Sequence, residues 1–187
     1  MSQELLQKMR KVNRLLQRFG SDRVIFSDIC EVISDVVKAN AMVVSTKSKV
    51  LGVNSSIPHN FSNEENYIDY SVNDEFLTIM DIKENIGLET LFPSAANSAN
   101  YTTCIVPIIA AGQRLGTFVL YKEKNAEPFN TEDFILAEYG ATIVAVEILT
   151  SLKDESDEEE RRIAVVKSAI ATLSYSELEQ FSTSLKN

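Results

Sequence analysis

The residues able to do covalent or metal chemistry are few and scattered. Two cysteines, Cys30 and Cys104, and a single histidine, His59, make up the whole stock of thiols and imidazoles. Neither cysteine sits in a Cys-x-x-Cys pair, so the ligand spacing of a structural zinc site is missing. Both lie on apolar runs, where a free thiol behaves as a small hydrophobe. A nucleophile needs a base within reach, and nothing in the spacing ties His59 to either thiol. Paired carboxylates occur only in solvated runs such as Asp154-Glu-Ser-Asp-Glu-Glu-Glu160. Ala111-Gly-Gln-Arg-Leu-Gly116 contains glycines but lacks the Lys-Ser/Thr of a phosphate-binding P-loop, and it reads as a hairpin turn. The chemistry on offer is that of binding, with no catalytic residue and no metal site expected.

Composition narrows the class further. The chain has 187 residues, 44% of them hydrophobic and 24% charged, with a formal net charge of -9. That suits one domain of ordinary size with an appendage. Gripping nucleic acid requires a basic face, so the net acidity argues against these residues being a DNA-contacting surface. The start, Met1-Ser-Gln-Glu-Leu-Leu-Gln-Lys8, has no apolar signal core, and no run reads as long enough to span a bilayer. A cytoplasmic protein with no membrane partner is expected.

Periodicity supplies the elements that position these residues. Leu5, Leu6, Met9, Val12, Leu15, Leu16 and Phe19 recur at helical spacing among basic residues, and Gly20 supplies a stop. The stripe suits either an ordinary surface helix or a dimer face. A second helix is predicted over 27–39 with Ser27 as its cap. Ala41-Met-Val-Val-Ser45 and Val50-Leu-Gly-Val53 flank a small polar turn and predict a hairpin. Residues 54–100 are broken by Asn and Pro, with one helix expected near 74–83; such insertions are lids or loops. Cys104-Ile-Val-Pro-Ile-Ile-Ala110 and Leu115-Gly-Thr-Phe-Val-Leu-Tyr121 predict a second hairpin. A long helix follows from the Asn130 cap through Leu173, crossing a charged run, and Ser174-Tyr-Ser-Glu177 fits a capping box that would open a new helix. This order describes an α+β domain on an antiparallel sheet with its terminal helices packed together.

The long helix also carries a family likeness. Phe134-Ile-Leu-Ala-Glu-Tyr-Gly-Ala-Thr-Ile-Val-Ala-Val-Glu-Ile-Leu149 and Ala164-Val-Val-Lys-Ser-Ala-Ile-Ala-Thr-Leu-Ser-Tyr-Ser-Glu-Leu-Glu179 closely resemble the CodY family of global transcriptional repressors of low-GC Gram-positive bacteria. Leu6-Gln-Lys-Met-Arg10, Leu15-Leu-Gln17, Val43-Val-Ser45, Leu51-Gly52, Thr103-Cys-Ile-Val-Pro-Ile-Ile109 and Arg114-Leu-Gly-Thr117 extend the likeness to most of the chain outside 54–89. The resemblance implies a GAF effector-sensing domain over 1–150 and a linker helix over 130–173 that overlaps its last helix. It also implies that 174–187 open a winged helix-turn-helix DNA-binding domain that is otherwise absent. The implied partners are a second copy in a homodimer, operator DNA through the missing domain, and small-molecule effectors. Those effectors are GTP and isoleucine, leucine or valine.

The resemblance assigns sites residue by residue. For the amino acid it implies Thr90, Phe92, Pro93 and Ser94 as pocket wall, with Phe61 and Tyr67 as weaker matches to the aromatic part of a lid. The alternative for Thr90, Phe92 and Pro93 is plain core closure. The family's carboxylate-binding arginine is unmatched, because no arginine occurs between Lys47 and Arg114. A bidentate charge-assisted pair is worth about 1.5–3 kcal/mol, so its loss predicts amino-acid binding weakened by roughly one to two decades, altered, or lost. For GTP the resemblance implies Val24, Phe26, Ser45, Lys47, Lys49 and Glu147. Here a carboxylate would read the guanine N–H edge and lysines would neutralise phosphates. Thr46 stands where the family tends to be basic, Leu152 replaces a charge, and a solvated turn is the plain alternative for the two lysines. Two other readings stay open. One is a GAF dimerisation module with a vestigial amino-acid pocket and GTP or another ligand as its only input. The other is a methionine sulfoxide reductase, a chemistry that wants more cysteines than this chain has.

Overall fold

The computed structural model describes residues 3–17, 25–55, 66–91 and 100–184. Helices α1 (Gln3–Leu16) and α2 (Phe26–Val37) lead into β1 (Asn40–Ser45) and β2 (Val50–Asn54). Then come α3 (Tyr70–Thr78), β3 (Lys83–Gly87), the single turn α4 (Leu88–Leu91), β4 (Tyr101–Ala110), β5 (Gln113–Glu123) and α5 (Thr131–Ser184). The five strands form one sheet in the order β2-β1-β5-β4-β3, every neighbour antiparallel. The α+β expectation and both expected hairpins are found.

Antiparallel sheets commonly leave one face in water, but here the central strands are covered on both. Along β5, Phe118 and Leu120 point to one side while Val119 and Tyr121 point to the other, and all four are buried. Register carries the alternation across the sheet: Val43 and Val106 lie opposite Phe118, and Met42 and Ile105 lie opposite Val119. The Phe118 side receives α2 and the first turns of α5. Gly140 marks the contact, since a Cβ there would sit 2.9 Å from Phe118 and 3.0 Å from Ile33. The Tyr139 hydroxyl hydrogen-bonds Asn13 of α1, and Lys11 pairs with Asp35 of α2. The Val119 side forms a second core with Met42, Val44, Ile68, Phe76, Ile79, Leu88 and Ile105.

Three expectations are corrected. Helix α2 starts at Phe26, with Ser27 already inside the first turn; the Ile25 N–H donates to the Asp28 carboxylate (3.5 Å), so Asp28 caps the helix end. The helix expected near 74–83 lies earlier, at Tyr70–Thr78, because Asp69 caps it by accepting from the Ser71 N–H at 2.8 Å. Residues 83–87 form edge strand β3, whose Lys-Glu-Asn-Ile-Gly sequence has little β-propensity and is held by pairing with β4.

The chain divides into two compact units, Met1–Glu147 and Ile148–Asn187. In the second, α5 continues through the charged run, where Arg162 pairs with Glu158 at 2.6 Å, and Ile163, Val165, Val166 and Ile170 are exposed. Contrary to the capping-box reading, the helix passes Ser174 without a break. No glycine or proline follows Gly140 to stop it. By length and composition Thr131–Thr172 is apolar enough to cross a membrane, which the sequence reading did not anticipate. Much of that apolarity belongs to the core of Met1–Glu147, where Leu136, Ala137, Ile143 and Val144 are buried.

Candidate functional site

The second core does not close completely. Met42, Val119 and Tyr121 from the sheet, Val72 and Phe76 from α3, and Ile68 and Leu88 from the flanking segments line a cavity of about 10 Å3. Its lining is aliphatic and aromatic side chains. That volume is barely enough for one water, and an apolar hole of this kind stays dry. A branched aliphatic side chain matches its chemistry but exceeds its size, so entry requires α3 or Leu88 to move.

Helix α3 is fixed at both ends by side chains of the two hairpins or by its own reach to them. Arg114 on β5 donates to the Phe76 carbonyl (3.1 Å) and the Ile79 carbonyl at the C-terminal end of α3. It also donates to the Gly116 carbonyl (2.7 Å) and the Thr117 hydroxyl (3.0 Å). A cation at a helix C-terminus suits the dipole, and partial burial lowers the Arg114 pKa from its usual value. At the other end the Asn73 amide donates to the Thr46 carbonyl at 3.1 Å.

Thr46 belongs to the β1–β2 turn, where the candidate lysines lie. The Ser45 hydroxyl accepts from the Lys47 N–H (3.2 Å) and the Lys49 N–H (3.1 Å), holding both residues in a tight turn. Ser48 takes a left-handed conformation (φ 65°) between them. The Lys47 and Lys49 side chains are exposed. Phe26 packs on the same hairpin, and a Cβ on Gly52 would lie 2.5 Å from the Phe26 carbonyl carbon. Glu147 is buried on α5, two turns beyond Gly140 and on the same helix face.

Phe26, Ser45, Lys47 and Lys49 therefore share one hairpin neighbourhood, with Glu147 on the helix that packs behind the sheet. Tyr67 is half-buried and bridges to Lys49, next to the cavity residue Ile68. Thr90 is exposed on α4, two residues from Leu88, and does not line the cavity. Val24, Phe61, Phe92, Pro93 and Ser94 lie outside the described residues, as does His59. The sequence reading missed the cavity-lining set and Asn73. Alternation along β1 and β5 contained the signal for Met42, Val119 and Tyr121.

Both thiols are buried, and burial pushes Cys30 and Cys104 up to about 12. That is the wrong direction for a nucleophile. Among the described residues no cluster of His, Cys, Asp and Glu could hold a metal.

Comparison with known proteins follows from this geometry. The solved "cofactor binding GAF domain of the nutrient sensor CodY from Clostridium difficile" matches with a TM-score of 0.58 at 35% identity, covering 79% of this chain and 99% of that one. A five-stranded antiparallel sheet with helices behind it and a small cavity under α3 is thus a GAF domain. The family model described as "CodY GAF-like domain" matches residues 4–172. The global transcriptional regulator CodY of Thermoanaerobacter sp. (strain X514) is 41% identical over 179 residues, covering 94% of this chain and 70% of that protein. Its counterpart in Clostridium kluyveri is 40% identical over 186 residues, covering 94% and 71%. The chain belongs to the CodY family of transcriptional regulators.

Proposed function

We propose that this chain is the effector-sensing and dimerising part of a CodY-like global transcriptional repressor, reporting nutrient state through GTP and a branched-chain amino acid. Operator DNA would be bound by a winged helix-turn-helix domain and not by the acidic residues described here, which do not suit phosphate contacts. The protein is assigned to the cytoplasm and to a homodimer on the same footing.

The observation that carries the reading is the placement of an apolar cavity beneath α3 beside a hairpin turn bearing Lys47 and Lys49. The cavity suits an aliphatic side chain, and the turn suits phosphate oxygens. Lys47 and Lys49 take the phosphates, with Phe26, Ser45 and Val24 forming the surrounding wall and Glu147 reading the guanine edge. Phe61, Tyr67, Thr90, Phe92, Pro93 and Ser94 are the proposed surround of the amino acid.

The amino-acid arm is the weaker of the two, because the segment has no arginine for the carboxylate and the cavity is almost closed. A second reading, with GTP or another small ligand as sole input, rests on that volume of about 10 Å3. Calorimetry with isoleucine separates the two. Weak binding supports a two-effector sensor, low-micromolar affinity refutes an altered carboxylate site, and absence of binding leaves the nucleotide as sole input. Millimolar GTP is expected to raise the melting temperature, and Lys47→Ala with Lys49→Ala to abolish the rise. No shift in the parent protein would count against the nucleotide site.

A further inference from the structure

Segment 66–78 is hydrogen-bonded to the β1–β2 hairpin at three points. Ser48 accepts the Ile68 N–H at 2.9 Å, and the Val50 N–H donates to the Asn66 carbonyl at 2.8 Å, so residues 66–68 run as a short strand against the hairpin. Ile68 lines the cavity. Five residues further along, Asn73 reaches the Thr46 carbonyl from the helix that supplies Val72 and Phe76 to the cavity wall. One continuous piece, 66–78, therefore touches both the cavity and the lysine-bearing turn.

That piece is held imperfectly. Asn73 is 2% exposed and Ser48 1%, yet among the described residues the Asn73 Oδ1 and the Ser48 Oγ have no hydrogen-bond partner. Buried polar atoms are nearly always satisfied, so two orphans at one junction mark an arrangement that is readily exchanged for another. The cavity is too small for a branched aliphatic side chain unless α3 or Leu88 moves, and α3 belongs to this piece. A shift of α3 that opened the cavity would also act on the turn through Asn73.

We propose that segment 66–78 is a strut that couples the apolar cavity to the β1–β2 turn, with Asn73 as the positioning residue that transmits the coupling. The strut rests on the reading of the cavity and turn as two effector sites. Occupying the cavity displaces the strut, breaks or remakes the Asn73–Thr46 bond, and changes the geometry presented by Lys47 and Lys49. Linkage is reciprocal, so a nucleotide on the turn alters affinity in the cavity by the same factor.

The test uses the full chain and three proteins: the parent, Asn73→Ala, and Asn73→Leu. Asn73→Leu keeps the branched shape and removes the orphan oxygen, so it is the variant expected to stay folded. GTP is titrated calorimetrically with and without saturating isoleucine. The parent is expected to show a change in GTP affinity of about fivefold or more, the lower edge of usual couplings, and both variants a change near one. Independent binding in the parent, or full coupling in a folded variant, overturns the strut. If either ligand fails to bind, the two-site reading fails, and hydrogen exchange without ligand judges the strut alone. Faster exchange of the Val50 and Ile68 amides in Asn73→Leu supports it, and exchange unchanged from the parent overturns it.

Discussion

Gly140 is where the seating of α5 on the sensor can be tested with a single methyl group. Replacing a mid-helix glycine by alanine normally stabilises by up to about 1 kcal/mol. Here the new Cβ would fall 2.9 Å from the Phe118 ring and 3.0 Å from Ile33 Cδ1 and Cγ1. Both neighbours are fully buried and have no open space to retreat into. Forcing a methyl into a close-packed core costs about 1–3 kcal/mol. The clash outweighs the propensity gain, and Gly140→Ala is expected to destabilise by about 0–2 kcal/mol net of the two effects. Urea unfolding monitored by circular dichroism measures this. Ile33→Val, which removes Cδ1, should cost about 0.5–1.5 kcal/mol alone. In the double variant the two changes relieve one another, leaving it less destabilised than the sum by at least about 0.5 kcal/mol. A stabilised Gly140→Ala, or a cycle additive within about 0.3 kcal/mol, would refute the packing argument.

Two further outcomes follow from single side chains. Arg114→Met should uncap α3 and leave the Phe76 and Ile79 carbonyls without their donor. With the guanidinium partly exposed and therefore screened, the expected loss is about 1–2 kcal/mol, checked by urea unfolding and by faster amide exchange confined to α3. Cys30 and Cys104 should resist a thiol reagent at pH 8 until the protein unfolds, then react together. Burial pushes their pKa values up to about 12, above the ordinary thiol value of 9.0, so the neutral thiol is the form the fold favours. The associated stability is fully present below pH 9 and is lost as the pH rises towards 12; a thiol titration paired with alkaline unfolding checks both.

Much of the sheet was legible because its central strands advertise burial. Val43-Val44 and Phe118-Val119-Leu120 are continuous apolar runs, and each hairpin turn is marked by polar or glycine residues. The region between the hairpins was harder for a physical reason. Edge strand β3 is held by backbone pairing with β4, and Lys-Glu-Asn-Ile-Gly carries no side-chain pattern that reveals it. Helix α3 was displaced in the reading because its C-terminal anchor is Arg114, 38 residues beyond Phe76, and its link to the turn is Asn73, 27 residues beyond Thr46. Three of the seven cavity residues, Met42, Val119 and Tyr121, show in strand alternation. Ile68, Val72 and Leu88 do not, since they come from short segments with no period long enough to read.

The arginine question sharpens once these contacts are counted. Arg114 is the only arginine between Arg23 and Arg161. Four hydrogen bonds already draw on its guanidinium, which has five N–H donors in all. Turning it towards a ligand carboxylate would uncap α3, the helix that forms the cavity wall, so the gain in binding would be offset by loss of the wall. The carboxylate of an amino acid must then be met by backbone N–H groups or a lysine, each a weaker partner than a bidentate guanidinium. The proposed phosphate site carries no such conflict, because Lys47 and Lys49 are exposed on a turn whose shape is held by the Ser45 hydroxyl and not by the lysines themselves. Of the two proposed inputs, the nucleotide can be bound without dismantling any contact that the fold depends on.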